Sequence, residues 1–221
     1  MGDEAERIVR VASRALGRHR LLHAYGHCSR RIDTESFMVA PSKPLGLVRP
    51  GEPCTVVRLD GPLPEGVLGE VRIHREIYRR RPEVGGVVRS MPPSAMSLAA
   101  MGRTPRSRHG FGAYFHPGPP LWPSPQLLRS DDQAVALADQ MGRAPGILMR
   151  GNGAVVAGES LEQAVVLTWY LEDMCRVELD CLAAGGEGPI LTEEEAAARS
   201  IWSGGILERM WAWLTEGDPE L

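Results

Sequence analysis

The chain has 221 residues, of which 43% are apolar and 24% are charged, and its net charge is −3. These values are ordinary for a globular protein with one sizeable core. The slightly acidic balance gives no electrostatic case for binding nucleic acid or an acidic membrane surface. Charged residues follow Met1 and no run of about 20 apolar residues occurs, so we expect a cytoplasmic protein.

The first half of the chain predicts an alternation of helices and strands. Apolar residues that recur at helical spacing indicate helices, and apolar clusters between turn signals indicate strands. Residues 23–31 are interpreted as the approach to the first strand. The predicted helices cover 3–17, 70–81 and 94–101, and the predicted strands cover 37–40, 55–59 and 84–88.

The second half begins with a Gly- and Pro-rich stretch over 102–125, predicted to be a long loop, and loops of that length are usually functional. Beyond it, Ser130, Ser160 and Thr192 are predicted N-caps of helices, each followed three residues later by Gln or Glu. The remaining elements are strands over 146–150 and 154–156, joined by a hairpin-type turn, and a Trp-rich helix over 206–214. This order predicts one α/β domain over 1–221 with a helical appendage over 190–221.

Several common catalytic signatures do not occur. The sequence contains no Rossmann glycine fingerprint, no P-loop, no His-Glu-x-x-His and no Gly-x-Ser-x-Gly. Nucleotide-binding and serine-hydrolase interpretations therefore have no support.

Six co-linear segments resemble the class II aldolase/adducin family. They include His-Arg-Glu-Ile-Tyr-Arg-Arg-Arg-Pro-Glu-Val and Leu-Met-Arg-Gly-Asn-Gly-Ala-Val-Val-Ala-Gly. The segments are 26–30, 37–42, 56–61, 74–84, 148–158 and 170–173. The Arg-Gly-x-Gly turn, His109 before an aromatic loop, and the Glu-Glu-Ala and Trp-rich tail resemble the aromatic-decarboxylase-like branch. The resemblance implies an α/β/α fold with a mainly antiparallel sheet and a C-terminal helical tail. It also implies a homotetramer with sites at subunit interfaces.

The chain departs from the family at the metal site. The resemblance implies three histidine ligands, and the corresponding positions here are Arg89, Met91 and Asn152. A guanidinium has no lone pair to offer, and a thioether is a poor ligand for Zn²⁺ or Mn²⁺. We therefore expect no metal and no other cofactor at this position. An alternative is a metal that has moved to another site, at His23, His27, His109 or His116.

Three residues are predicted to be catalytic. Glu70 stands where the resemblance implies an acid/base carboxylate, the alternative being a helix N-terminal Glu that interacts with the helix dipole. Arg89 is interpreted as a substitute electrophile that holds a carboxylate or enolate oxygen, or alternatively as the partner of Glu70 in an inactive site. His109 is predicted to be a general acid, with an exposed loop histidine as the alternative.

Six further residues are predicted to bind substrate, all by the same resemblance. They lie in the segments next to the implied site and in the long loop. They are His27, Ser29, Ser42, Asn152, Arg150 and Tyr114. For His27 and Ser29 the alternative is a hydrogen bond that stabilises a turn, and for Arg150 it is a surface position.

The sequence thus predicts a metal-independent lyase acting on a small carboxylated or oxygenated substrate. The reaction would be decarboxylation or aldol-type cleavage through an enolate-like intermediate. Alternatives are an isomerase, dehydratase or cyclase that uses the same enolate, and a non-catalytic oligomeric module. Convergence of Glu70, Arg89 and His109 within hydrogen-bond reach would favour an enzyme.

Overall fold

The computed structural model describes residues 2–186 and 188–221, and its centre is a seven-stranded sheet in the order β3-β2-β1-β4-β7-β6-β5. Every neighbouring pair is antiparallel except β5 with β6, which is parallel. The strands are β1 (His27–Arg31), β2 (Ser36–Val39), β3 (Thr55–Arg58), β4 (Gly86–Ser90), β5 (Leu121–Trp122), β6 (Gly146–Met149) and β7 (Gly153–Gly158). The predicted α/β class with a mainly antiparallel sheet is confirmed.

Helices cover both faces of the sheet. One core contains residues of α1, α3, α5 and α7, and the other contains residues of α2 and α4. The helices are α1 (Gly2–Arg18), α2 (Arg72–Arg80), α3 (Pro93–Ala100), α4 (Asp131–Met141), α5 (Leu161–Ala183), α6 (Glu193–Arg199) and α7 (Ile206–Thr215). Within the described ranges, no helix is both long enough and apolar enough to cross a membrane.

The capping predictions agree with the structure. Ser130 and Thr192 each form a full capping box, with Gln133 and Glu195 respectively, and Ser160 accepts a hydrogen bond from the Gln163 backbone. Each cap satisfies backbone donors that have no partner inside the helix. Local sequence therefore determines where α4, α5 and α6 begin.

Two strands differ from the prediction. Residues 27–31 form β1, although they were interpreted only as an approach segment, and the long loop contains β5 and a short 3₁₀ helix (Gly112–Phe115). The sequence of β1, His-Cys-Ser-Arg-Arg, has little β-branched character and is placed by its neighbours β2 and β4. The division into one domain with an appended tail stays a prediction.

The ends of β4 and β7 form a close backbone junction. A Cβ at Gly153 would lie 2.0 Å from the Ser90 carbonyl oxygen, and φ of Gly153 is +85°. Glycine is required there because no other residue tolerates both the contact and the conformation. The turn between β6 and β7 therefore lies over the end of β4, where it brings Asn152 next to Arg89.

Candidate active site

Arg89 is the centre of a closed group of three polar side chains. Its Nη2 donates to Asn152 Oδ1 at 2.7 Å, and its Nε lies 3.1 Å from Glu70 Oε2. Asn152 Nδ2 donates to Glu70 Oε1 at 3.4 Å, which completes the triangle. Glu70 reaches the group from a short 3₁₀ helix (Gly69–Val71) before α2. The structure thus brings together three predicted residues that are far apart in sequence.

The guanidinium of Arg89 is nevertheless incompletely satisfied. Arg89 is only 2% exposed, and its Nε and Nη1 have no aligned hydrogen bond to any residue that the structure describes. Burial lowers the pKa of Arg89, whereas Glu70 raises it, and an arginine side chain stays charged near neutral pH. A buried, unpaired donor on a charged group is unfavourable, and a further acceptor at this position would remove that cost.

His27 lies beside the triangle, directly opposite Arg89 in the pairing of β1 with β4. Its Nε2 is 4.0 Å from Glu70 Oε2, and its Nδ1 is 2.8 Å from His74 Nε2. His74 in turn contacts Ser29 Oγ at 2.6 Å. Ser29 therefore lies behind His74 and is separated from Glu70 by both His27 and His74.

His74 is a site residue that sequence reasoning missed. It belongs to one of the family-like segments, and its position four residues before Tyr78 on α2 places both on one helix face. Burial lowers the pKa of His74 to about 3. Burial, followed by His74 and Arg89, lowers the pKa of His27 well below its usual value. Both imidazoles are therefore neutral at pH 7.

Ser42 lines a small cavity next to His27. The cavity has a volume of about 20 Å³, and the other side chains around it are mainly apolar. Ser42 itself is exposed. A cavity of this size holds about one water molecule or a group of similar size.

Three predicted site residues lie elsewhere in the chain. His109 Nε2 is 3.3 Å from Asp173 Oδ2, and its Nδ1 accepts hydrogen bonds from the backbone of the following loop. The hydroxyl of Tyr114 donates to the Ile201 carbonyl oxygen. Arg150 Nε donates to the Pro123 carbonyl oxygen. Glu70 and Arg89 therefore converge as predicted, but His109 of the same chain does not join them.

The side chains around Arg89 do not fit a divalent metal ion. They offer one carboxylate and one imidazole beside a guanidinium and an amide, and the guanidinium would repel a cation. In residues 2–186 and 188–221, no three His, Cys, Asp or Glu side chains come together as a metal site would require. No group of this kind forms around His23, His27, His109 or His116 either.

Known proteins match this chain over most of its length. The sequence profile of the family described as Class II Aldolase and Adducin N-terminal domain matches residues 6–179. The chain is 30% identical to 3,4-dihydroxyphthalate decarboxylase of Arthrobacter keyseri, over 96% of this chain and 92% of that one. It is also 30% identical to the 3,4-dihydroxyphthalate decarboxylase of Terrabacter sp. strain DBF63, over 86% of each chain. Its fold matches L-fuculose 1-phosphate aldolase from Glaciozyma antarctica with a TM-score of 0.80 at 19% identity, over 96% and 89% of the two chains.

Proposed function

The chain belongs to the class II aldolase and adducin family and is a lyase-type enzyme, and from that premise we propose that it is a metal-independent decarboxylase. Its substrate is a small aromatic carboxylic acid, in keeping with the dihydroxyphthalate decarboxylases that it resembles. The observation that carries the proposal is the buried guanidinium of Arg89, whose Nη1 has no hydrogen-bond acceptor among the described residues.

Arg89 supplies the positive charge that stabilises the reaction. Once the ring carbon that carries the carboxylate has taken up a proton, the carbon–carboxyl bond breaks and its electron pair moves into the ring and onto an oxygen, forming an enolate-like anion and carbon dioxide. The guanidinium donates hydrogen bonds to that oxygen in a site that excludes water. Its single delocalised charge stabilises the anion less than a divalent ion would, so we expect the substrate ring itself to share the negative charge.

Glu70 moves the proton. Its side chain is 19% exposed, whereas that of Arg89 is 2% exposed, so Glu70 forms the entrance to the group. A substrate anion replaces its carboxylate on Arg89, which frees Glu70 at the edge of the site. Once loaded with a proton from solvent, Glu70 delivers that proton to the ring carbon that carries the carboxyl group, before the carbon–carboxyl bond breaks.

The proposal includes assembly into a cytoplasmic homotetramer with sites between subunits. Within one chain, His109 and Tyr114 contact other residues and do not reach the Arg89 group. In the proposed tetramer they approach the Arg89 group of a neighbouring copy. Exposed apolar side chains support an oligomer: Tyr25 is 68% exposed and Leu47 is 65% exposed.

The test is carbon dioxide release from 3,4-dihydroxyphthalate and related aromatic acids, measured with and without a strong chelator and alongside elemental analysis. We expect turnover that the chelator leaves unchanged and that Arg89→Met lowers by about 10³-fold. Arg143→Met is the matched control, because the Arg143 side chain is 91% exposed. Activity that requires one bound Zn, Mn or Fe per chain would overturn the metal-independent mechanism.

A further inference from the structure

A chain of buried hydrogen bonds lies behind His27. His27 Nδ1 is 2.8 Å from His74 Nε2, and His74 Nδ1 is 2.6 Å from Ser29 Oγ. These three side chains are between 0% and 3% exposed. Tyr78 ends the chain, since its hydroxyl lies 2.9 Å from Ser29 Oγ and donates to the Ser29 carbonyl oxygen at 3.0 Å.

The two imidazoles in this chain are coupled. Burial lowers the pKa of both, so each is neutral and has one donor nitrogen and one acceptor nitrogen. If His74 donates to His27 Nδ1, the proton of His27 must be on Nε2. If His27 Nδ1 donates to His74, then Nε2 of His27 carries a lone pair. The direction of the inner hydrogen bonds therefore decides what His27 presents to the site.

The outer end of the chain has no partner. His27 Nε2 is buried and forms no hydrogen bond within the described ranges, because Glu70 Oε2 is too far away at 4.0 Å. The adjoining cavity of about 20 Å³ has room for one water-sized group. A hydroxyl group fits this space, whereas a carboxylate with three heavy atoms does not.

We propose that His27 Nε2 binds a hydroxyl group of the substrate, and that His74 is the positioning residue that decides which His27 nitrogen carries the proton. The inference rests on the proposed function, because Arg89, which lies opposite His27, binds the carboxylate and shares with His27 the neighbouring oxygen on which negative charge develops. The substrate class is therefore a hydroxy acid whose hydroxyl group is next to the carboxylate. Ser29 acts through His74 and does not touch the substrate.

This arrangement lets His27 change its role without becoming charged. The two neutral tautomers of the ring carry the same charge: in one, Nε2 is a donor, and in the other, with the hydrogen bonds between Ser29 and His27 in the opposite direction, Nε2 is an acceptor. The acceptor tautomer binds a substrate hydroxyl, and the donor tautomer binds a negatively charged substrate oxygen.

The test compares 2-hydroxybenzoate with benzoate, two probes that differ by one hydroxyl group. Calorimetry on the wild-type chain is expected to show at least about tenfold tighter binding of 2-hydroxybenzoate, since a buried polar group left unpaired by benzoate is unfavourable. His27→Phe should bind both acids equally. His74→Phe should lose most of the preference, and His74→Gln, which can still hydrogen-bond His27, should keep part of it.

Nitrogen NMR of the histidine-labelled protein supplies a readout that packing alone would not change. In the wild type, His27 and His74 should each show the shifts of one neutral tautomer between pH 5.5 and 8. In His74→Gln, the His27 shifts should move toward a mixture of tautomers, while circular dichroism confirms that the variant is folded. Unchanged His27 shifts in that variant would refute the positioning role of His74.

The outcomes separate the two claims. Equal binding of both acids by the wild type overturns the hydroxyl site but leaves the role of Arg89 standing, provided that Arg89→Met binds neither acid. Full binding of both acids by Arg89→Met overturns the proposed function. Failure of the wild type to bind either acid overturns both.

Discussion

Two buried arginine clusters in this chain satisfy their charges differently. Arg14 on α1 donates from Nε and Nη2 to Asp218 at 2.8 and 2.6 Å, and from Nη2 to Glu220 at 2.7 Å. Its Nη1 donates to the Val48 carbonyl oxygen at 3.4 Å, so every nitrogen has an acceptor. Arg89 has a single aligned hydrogen bond, to Asn152, and its Nη1 has no acceptor in the described part of the chain.

The difference is the one expected between a structural ion pair and the binding group that we propose for Arg89. Burial lowers the pKa of Arg14, but its hydrogen bonds to Asp218 and Glu220 raise it overall. For Arg89, burial prevails over Glu70 and the pKa is lowered. The saturated cluster links the C-terminal residues to α1, whereas in our proposal the donors left over in the unsaturated cluster bind the substrate. We therefore expect substitutions in the first cluster to change stability and substitutions in the second to change activity.

The largest expected effect is on catalysis by Arg89→Met. The value of kcat/KM should fall by about 10³-fold, because the substitution removes the donors that face the developing anion. The free energy of unfolding should change by no more than about 1 kcal/mol, since Glu70 is left near solvent. Steady-state kinetics and urea unfolding of the same preparation measure both quantities. Unchanged kcat/KM together with a large loss of stability would mean that Arg89 stabilises the fold and does not take part in the reaction.

Arg14→Met should show the opposite pattern. It leaves Asp218 without its main partner and removes one of the two arginines that bind Glu220, which should cost about 3–5 kcal/mol of unfolding free energy. The kcat/KM of the folded fraction should not change, because Arg14 has no contact with the Arg89 group. Urea unfolding with Arg143→Met as the exposed control provides the measurement. A loss below 1 kcal/mol would mean that this cluster adds little to stability.

Asn152→Asp adds a carboxylate next to Arg89, which makes the Arg89 cluster more similar to the Arg14 cluster. A carboxylate at this position competes with the substrate anion for Arg89, so we expect about tenfold lower kcat/KM, mainly through a higher KM. Asn152→Ala is the comparison variant, because it removes the amide without adding charge. Equal KM values for the Asp and Ala variants would argue against competition for the guanidinium.

Glu220→Gln should have the smallest effect, and one that depends on pH. Burial raises the pKa of Glu220, but hydrogen bonds from Arg10 and Arg14 lower it overall, from 4.5 to about 2. Its contribution is therefore present above pH 4.5 and is lost as the pH falls toward 2. The variant should lose about 1–2 kcal/mol at pH 7, after allowance for solvent screening, and its stability should fall less steeply between pH 5 and 2. Urea unfolding across this pH range tests the slope, and parallel slopes in variant and wild type would contradict it.

Local signals predicted much of the fold. Ser130 with Gln133 and Thr192 with Glu195 act within four residues, so their capping boxes could be identified from the sequence. The turn at Gly151–Gly153 was identifiable because glycines permit the backbone conformations that it needs. The strand β1 could not be predicted in this way, since its pairing with β2 and β4 and not its own residues makes it a strand.

The candidate site was only partly predictable. The family-like segments pointed to Glu70, Arg89 and Asn152, and the structure brings these three together. The sequence could not show which of the candidate residues contact one another, because such contacts depend on how strands and helices pack. His74 lies behind His27 although 47 positions separate them, and His109 lies against Asp173 and away from Glu70.

By itself, the sequence determined the residue types at the site: a carboxylate, a guanidinium and an amide. Those identities favour the proposed metal-independent reaction, because the suitability of a metal ligand depends on side-chain type. Only the tertiary structure decided which donors are satisfied. Hydrogen bonds are directional and short, so the free Nη1 of Arg89 and the neutral His27–His74 pair arise from the packing of β1, β4 and α2.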